Sequence, residues 1–233
     1  MNNLKQHIKT KNFEKCYLFY GDEHFLINLY EKRIKEAIIS PESEMMNYDY
    51  FEGNNVSVDN IINSSETLPF LADKRLVFVK NSGFFQSGKS QENENLINYL
   101  EVIPDSTCLI FSEENVDKRS KLFKAVSKNG YAVEFNTPQE KDFVAWVIKD
   151  LKNKNIKCSP TTAIYFIRAI GADMEAVSTE LEKIAAYKNY DGELNNEDVD
   201  KVCIKSLETK IFDLVAAIGN KKPETAIMIF ENL

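Results

Sequence analysis

A run of five apolar or aromatic residues, Cys16 to Tyr20, constrains the fold of this chain more than any other feature. Runs of this kind are typical of strands buried on both faces, as in parallel sheets covered by helices. Gly21 follows directly and permits a sharp turn, after which Asp22 can cap a helix. The segment therefore predicts the first strand and the first helix of an α/β domain.

Four more segments with strand patterns complete the predicted sheet, at 47–52, 76–80, 108–112 and 132–135. The segments between them are long enough for the crossover helices that parallel strands require. We expect these helices near 25–38, 58–67, 91–102 and 118–127. Residues 1–139 are thus predicted to form one α/β domain with a five-stranded parallel sheet.

The sequence changes character after Thr137 and Pro138. No further strand pattern is present, and helical patterns follow at 143–152, 161–170, 173–187, 196–203 and 211–219. We therefore expect an α/β domain followed by an all-α part. A last helical pattern begins at Pro223 and is unfinished at Leu233, so we expect the chain to be part of a longer protein.

Composition and charge argue against several classes of function. The net charge of −7 disfavours a protein that grips nucleic acid with its whole surface, because phosphate contacts need clustered Lys and Arg. The cysteines, at 16, 108, 158 and 203, form no C-x-x-C pair, so we expect reduced thiols. His7 and His24 have no partner at catalytic or metal-binding spacing. We therefore expect no metal and no cofactor. No apolar stretch of about 20 residues occurs, so we also expect no membrane span and a cytoplasmic location.

The turn after the first strand lacks the residues of a phosphate-binding loop. Such a loop needs small residues whose backbone N–H groups surround a phosphate, together with a Lys and a Ser or Thr. His24, Phe25 and Leu26 stand in those places. We therefore expect no nucleotide site at this turn.

A phosphate-binding pattern, G-x-x-x-x-G-K-S, does occur elsewhere, with its fixed residues at Gly83, Gly88, Lys89 and Ser90. It follows the third predicted strand rather than the first, and Phe84 and Phe85 are bulky where the backbone must curl around a phosphate. The strand that ends near Ser112 also lacks an Asp for Mg²⁺. We interpret the pattern as a chance match in a polar surface loop and keep ATP binding at this loop as an alternative.

The segment 67–75 places large apolar residues on a short turn. Pro69 ends the preceding helix, so Phe70 and Leu71, with Leu68 beside them, come directly before the third predicted strand. The residues alone leave two interpretations open. These side chains either fold back onto the sheet or form an exposed anchor for a partner's pocket.

In four stretches the sequence resembles the delta subunit family of bacterial DNA polymerase III, the clamp-loader component that opens the sliding clamp. The stretches are 17–26, 68–77, 109–119 and 171–183, and a fifth, 210–218, is similar to the first helix of the family's collar domain. Each signal is weak by itself, but their order and spacing are specific and they cover the chain.

The resemblance implies an AAA+-like α/β domain without a functional ATP site at 1–139, a helical lid domain at 140–208 and the start of a truncated collar domain at 209–233. Met174 aligns with the position where an active lid offers an Arg to the γ-phosphate, so we expect it to pack instead. No intrinsic catalysis is implied. The chain would be a subunit of the DNA polymerase III holoenzyme, a nucleotidyltransferase complex.

The resemblance also favours the exposed anchor. Phe70 and Leu71, flanked by Leu68 and Pro69, correspond to the apolar residues that enter the clamp's pocket. The implied partners are the sliding clamp (beta subunit), the gamma/tau and delta-prime subunits, chiefly through the missing collar, and primed DNA indirectly. A delta-prime-like arm is a further alternative, although neither a zinc-binding Cys cluster nor an intersubunit Arg motif is visible.

Basic residues gather in and beside one predicted helix, at Lys118, Arg119, Lys121 and Lys124. They could contact DNA or another subunit. A run of charges on a helix is usually its solvated face, and the pattern alone does not separate these interpretations.

Overall fold

The computed structural model describes residues 2–86, 94–204 and 206–231. The chain divides into two compact units, Met1–Thr137 and Pro138–Leu233. The change of character predicted after Thr137 and Pro138 therefore coincides with the boundary between the units. The assignment of 209–233 to a separate domain stays a prediction.

The first unit contains a five-stranded parallel sheet, as predicted. Its strands are β1 Cys16–Tyr20, β2 Tyr48–Glu52, β3 Arg75–Lys80, β4 Thr107–Glu113 and β5 Tyr131–Glu134. They lie in the order β2-β3-β4-β1-β5, and every neighbouring pair is parallel. In this register Leu18 on β1, which lies between β4 and β5, is opposite Phe111 on one side and Ala132 on the other. All residues of β1 are buried, which is why its sequence is continuously apolar rather than alternating.

The helices of the first unit are α1 Asn2–Thr10, α2 His24–Ile38, α3 Glu44–Asn47, α4 Val58–Glu66, α5 Glu94–Tyr99 and α6 Lys121–Asn129, with a 3₁₀ turn at Pro41–Ser43. Sequence analysis did not predict α1, α3 or the 3₁₀ turn. The last helix begins three residues later than predicted because the Ser120 side chain accepts a hydrogen bond from the Phe123 N–H and caps it there.

The second unit is mostly helical, but the prediction that it is entirely helical was wrong. Its helices are α7 Glu140–Asn153, α8 Pro160–Ile170, α9 Met174–Tyr187, α10 Asn196–Val202, α11 Leu207–Gly219 and α12 Pro223–Glu231. Two short strands, β6 Ile156–Cys158 and β7 Gly192–Leu194, form a parallel pair. Each of these strands has only three residues, with a charged residue in the middle, and is too short to show a strand pattern in the sequence. Met174 is buried, as expected for a residue that packs.

Candidate functional site

Two hydrogen bonds hold the turn between β1 and α2, one to Phe135 and one within the turn. The Glu23 N–H donates to the Phe135 carbonyl at 3.0 Å, and the His24 N–H donates to the Asp22 carbonyl at 3.2 Å. A Cβ atom at Gly21, where φ is +125°, would overlap the Phe135 carbonyl, so the turn is in close contact with the residue that follows β5.

The helix N-terminus at this turn already holds a carboxylate. Glu23 is the N-cap of α2 and accepts from the Phe25 N–H at 3.3 Å, so the prediction that Asp22 caps this helix was wrong. The N–H groups that would bind a phosphate thus have partners, and the Glu23 carboxylate would repel an incoming anion. This arrangement agrees with the expectation of no nucleotide site here.

The G-x-x-x-x-G-K-S pattern begins in a segment that is anchored in the core. Phe84 and Phe85 are buried, and the Phe85 ring packs edge-on against Phe111 with the ring centroids 5.3 Å apart. The interpretation of this stretch as a polar surface loop was therefore wrong for these two residues. Their side chains fill the core beside β4, a burial that their polar neighbours in sequence did not indicate.

A buried carboxylate occupies the start of the same pattern. Glu113, at the end of β4, accepts from the Ser82 N–H at 2.8 Å, from the Gly83 N–H at 3.1 Å and from the Ser82 hydroxyl. A phosphate at these amides would meet a negative charge. The remaining fixed residues of the pattern, Gly88, Lys89 and Ser90, lie outside the described residues.

The turn between α4 and β3 exposes its apolar side chains. Leu68 is 78% exposed, Phe70 56% and Leu71 90%, whereas Pro69 is partly buried. Of the two interpretations left open by the sequence, folding back onto the sheet is therefore wrong. We call Leu68, Phe70 and Leu71 the apolar turn. Leu71 also has φ of +51°, a conformation that a residue with a bulky side chain adopts only when its surroundings impose it.

Asn47 fixes the backbone of the apolar turn. Its side chain accepts from the Phe70 N–H at 2.6 Å and donates to the Phe70 carbonyl at 2.8 Å. The Asn47 residue itself is fully buried at the end of α3. Sequence reasoning missed this residue, because it lies 23 positions before Phe70 and was assigned to the start of a strand.

Arg75 joins the segments on both sides of the apolar turn. Its guanidinium donates to the Asp49 carboxylate on β2 and to the Met46 carbonyl on α3, the latter at 2.7 Å. The Ser64 hydroxyl on α4 donates to the same Asp49 carboxylate. Arg75 is buried, so its charge is compensated within the protein rather than offered to a partner. The apolar turn therefore projects from a hydrogen-bonded frame.

The predicted basic residues do not act as one free positive surface. Lys118 contacts the Glu134 carboxylate at 2.8 Å, and Arg119 contacts Asp117 at 3.1 Å. Both cations are exposed, and so are Lys121 and Lys124 on α6. Pairing with carboxylates lowers the charge that Lys118 and Arg119 offer to a phosphate backbone. Their contact with DNA or with another subunit stays a prediction.

The cysteines carry no reactive chemistry in this structure. All are free thiols, and burial raises the pKa of the Cys108 and Cys203 thiols to about 12 and that of Cys158 to about 11. Thiols with raised pKa values stay protonated and are poor nucleophiles and poor metal ligands. Within the described residues, no group of three or more His, Cys, Asp or Glu side chains could hold a metal ion. Over the same residues, no helix is long and apolar enough to cross a membrane.

Curated relatives match nearly the whole chain. It is 26% identical over 233 residues to the DNA polymerase III subunit delta of Bacillus subtilis, covering 97% of this chain and 67% of the relative. It is 24% identical over 229 residues to the probable DNA polymerase III subunit delta of Aquifex aeolicus, covering 94% of this chain and 64% of that relative. The chain thus spans about two thirds of the length of these two proteins.

A solved structure has the same fold. The Bacillus subtilis DNA clamp loader delta protein superposes with a TM-score of 0.82 at 24% identity, covering all of this chain and 70% of the other. The predicted fold class, an AAA+-like parallel sheet domain followed by a helical domain, is confirmed. The family described as DNA polymerase III, delta subunit, matches residues 17–136, just over half of the chain and the part that holds the sheet and the apolar turn. The chain therefore belongs to the DNA polymerase III delta subunit family.

Proposed function

We propose that this chain is a clamp-loader delta subunit that binds the sliding clamp through the apolar turn and favours the open form of the ring. One observation carries the proposal. Three large apolar side chains are exposed on a turn whose backbone is held by a buried Asn47 and flanked by a buried, paired Arg75. Exposed apolar residues on a fixed frame are typical of the anchors of protein interfaces.

The energetics of such an anchor depend on its fixed backbone. Complete burial of a Phe or Leu side chain in a partner contributes about 1.5–3 kcal/mol to the free energy of binding. Phe70 and Leu71 can supply much of this contribution, because both are exposed before the partner binds. Binding also orders loops and side chains, which opposes association. Because the Asn47 hydrogen bonds already order the Phe70 backbone, less of that cost arises when a partner binds.

Opening of the ring is a shift between two states of the partner. A protein opens a closed ring only to the extent that it binds the open state more tightly. We propose that Phe70 and Leu71 hold one protomer of the clamp while the surface around the turn is incompatible with the closed ring. The work is therefore mechanical, and no catalytic step is assigned to this chain.

ATP would act on sibling subunits rather than here. The Glu23 and His24 N–H groups of the turn after β1 are hydrogen-bonded within the protein. The Glu23 carboxylate lies at this turn, and the Glu113 carboxylate lies at the start of the G-x-x-x-x-G-K-S pattern. We propose that the gamma/tau and delta-prime subunits bind chiefly through the collar domain, of which 209–233 would be the start. Primed DNA would be an indirect partner.

A comparison of two clamp forms tests the proposal. We expect this chain to bind a clamp variant that cannot close its ring at least about tenfold more tightly than the closed ring, measured by surface plasmon resonance. Such a ratio follows from the proposal because a ring opener must bind the open state better. Equal affinity for the two forms would overturn the ring-opening step, and the absence of binding to either form would overturn the proposed function as a whole.

The nucleotide alternative has a separate test. We expect millimolar ATP with Mg²⁺ to leave the Tm of this chain unchanged, because a ligand raises Tm only when it binds the folded state. Differential scanning fluorimetry of the parent and of Lys89→Ala checks this. A rise in Tm that the Lys89→Ala variant loses would establish nucleotide binding at the Gly83–Ser90 pattern instead.

A further inference from the structure

The short helix α3, just before β2, carries two exposed methionines. Met45 is 96% exposed and Met46 is 58% exposed. Seven large apolar side chains are exposed among the described residues of the first unit, and five of them belong to α3 and the apolar turn. Exposed apolar side chains are therefore concentrated on two segments that are distant in sequence.

Hydrogen bonds join these two segments directly. Asn47, the residue after Met46, binds both backbone groups of Phe70, and the Met46 carbonyl accepts from Arg75 just after the turn. On its other side α3 is attached to α2 by an ion pair of 2.6 Å between Lys35 and Glu44. The backbone of α3 is thus fixed beside the apolar turn, while its methionine side chains are free of the core.

The surface between the two segments is suited to burial. Arg75 lies between the two segments through its hydrogen bond to the Met46 carbonyl, and it is buried and paired with Asp49, so a partner that covers both segments does not have to desolvate it. Methionine is enriched at protein interfaces and its unbranched side chain adapts to irregular partner surfaces. Two adaptable side chains beside a fixed Phe70 suit a partner surface whose shape changes between two states.

From this arrangement we infer that Met45 and Met46 are a second contact for the sliding clamp, on the clamp surface that borders the pocket for Phe70 and Leu71. The inference rests on the proposed function, because it assigns the same partner to a surface continuous with the apolar turn. The methionines widen the interface, and the apolar turn anchors it. α3 thereby has a role in binding besides placing Asn47.

The test compares methionine substitutions that preserve size. We expect Met45→Gln/Met46→Gln to weaken binding of the chain to the clamp by about fivefold to thirtyfold, because two apolar contacts become polar. Met45→Leu/Met46→Leu keeps the apolar surface and should bind within about twofold of the parent. Met228→Gln, on α12, is a matched control because Met228 is 59% exposed, close to the value for Met46.

The outcomes separate this inference from the proposed function. If the parent binds, Phe70→Ala/Leu71→Ala does not, and Met45→Gln/Met46→Gln binds as well as Met228→Gln, the second contact is overturned while the proposed function stands. If the parent does not bind any form of the clamp, both are overturned. Circular dichroism melting verifies folding, and Met45→Gln alone, at an almost fully exposed position, gives the same answer if the double variant is unstable.

Discussion

Phe70→Ala/Leu71→Ala is expected to reduce clamp affinity by about a hundredfold to a thousandfold and to leave the chain as stable as the parent. The loss follows from the apolar area that both side chains bury in the partner, about 3–4 kcal/mol together after allowance for the part of Phe70 that is already covered. Stability should not change, because both side chains are exposed and contribute little to the core. Surface plasmon resonance with immobilised clamp measures the affinity, and thermal melting measures the stability.

The second unit offers a matched control for this double variant. Ile211 and Phe212, adjacent on α11, are also an aliphatic residue and a phenylalanine that are both exposed. Ile211→Ala/Phe212→Ala removes similar apolar area from another surface and should bind the clamp like the parent. Equal losses of clamp affinity in the two double variants would mean that general apolar contact, rather than the apolar turn, accounts for binding. Parental affinity in a folded Phe70→Ala/Leu71→Ala variant would refute the anchor.

The central part of the fold could be predicted from the sequence because strands that are buried on both faces have apolar sequences. The strands β1 and β4 are buried along their whole length. The sequence of β1 is continuously apolar and that of β4 is apolar from Cys108 to Phe111, so both positions were predicted to within one residue at each end. The sequences of β6 and β7 contain no such apolar run. Each has three residues and is only partly buried, and their pairing joins residues far apart in sequence.

The candidate site could be predicted only in part, for a related reason. Pro69 marked the turn and the resemblance selected Phe70 and Leu71, but their exposure depends on a contact from a distant segment. The same holds for Phe84 and Phe85, whose burial against β4 runs against their polar sequence neighbours. Tertiary contacts decided both cases, and local patterns do not record them.

Asn47→Asp is expected to lower the free energy of unfolding at pH 7 by about 2–4 kcal/mol, because it sets a buried negative charge against a carbonyl oxygen. The asparagine amide donates to the Phe70 carbonyl at 2.8 Å, and a carboxylate oxygen in that position has no proton to donate. The other oxygen can still accept from the Phe70 N–H, so the variant breaks one of the two bonds and adds a repulsion. Urea unfolding followed by circular dichroism measures the difference.

Asn60→Asp is the control, since Asn60 is exposed on α4 and the substitution makes the same change in charge. It should alter stability by less than about 0.5 kcal/mol. Equal stability of the two variants would show that the Asn47 hydrogen bonds do not hold the turn. The pH dependence of stability gives a second test. Protonation of the introduced carboxyl restores a donor to the Phe70 carbonyl, so the difference in the free energy of unfolding between the two variants should decrease as the pH is lowered from 7 to 5.

The same substitution connects stability to clamp binding. If Asn47 fixes the Phe70 backbone before the partner arrives, its loss transfers the cost of ordering the turn to the binding step. We therefore expect folded Asn47→Asp protein to bind the clamp about tenfold more weakly than Asn60→Asp, although neither residue is assigned a contact with the clamp. Unchanged affinity in the destabilised variant would mean that Asn47 serves the fold alone, and that the turn reaches its binding conformation without it.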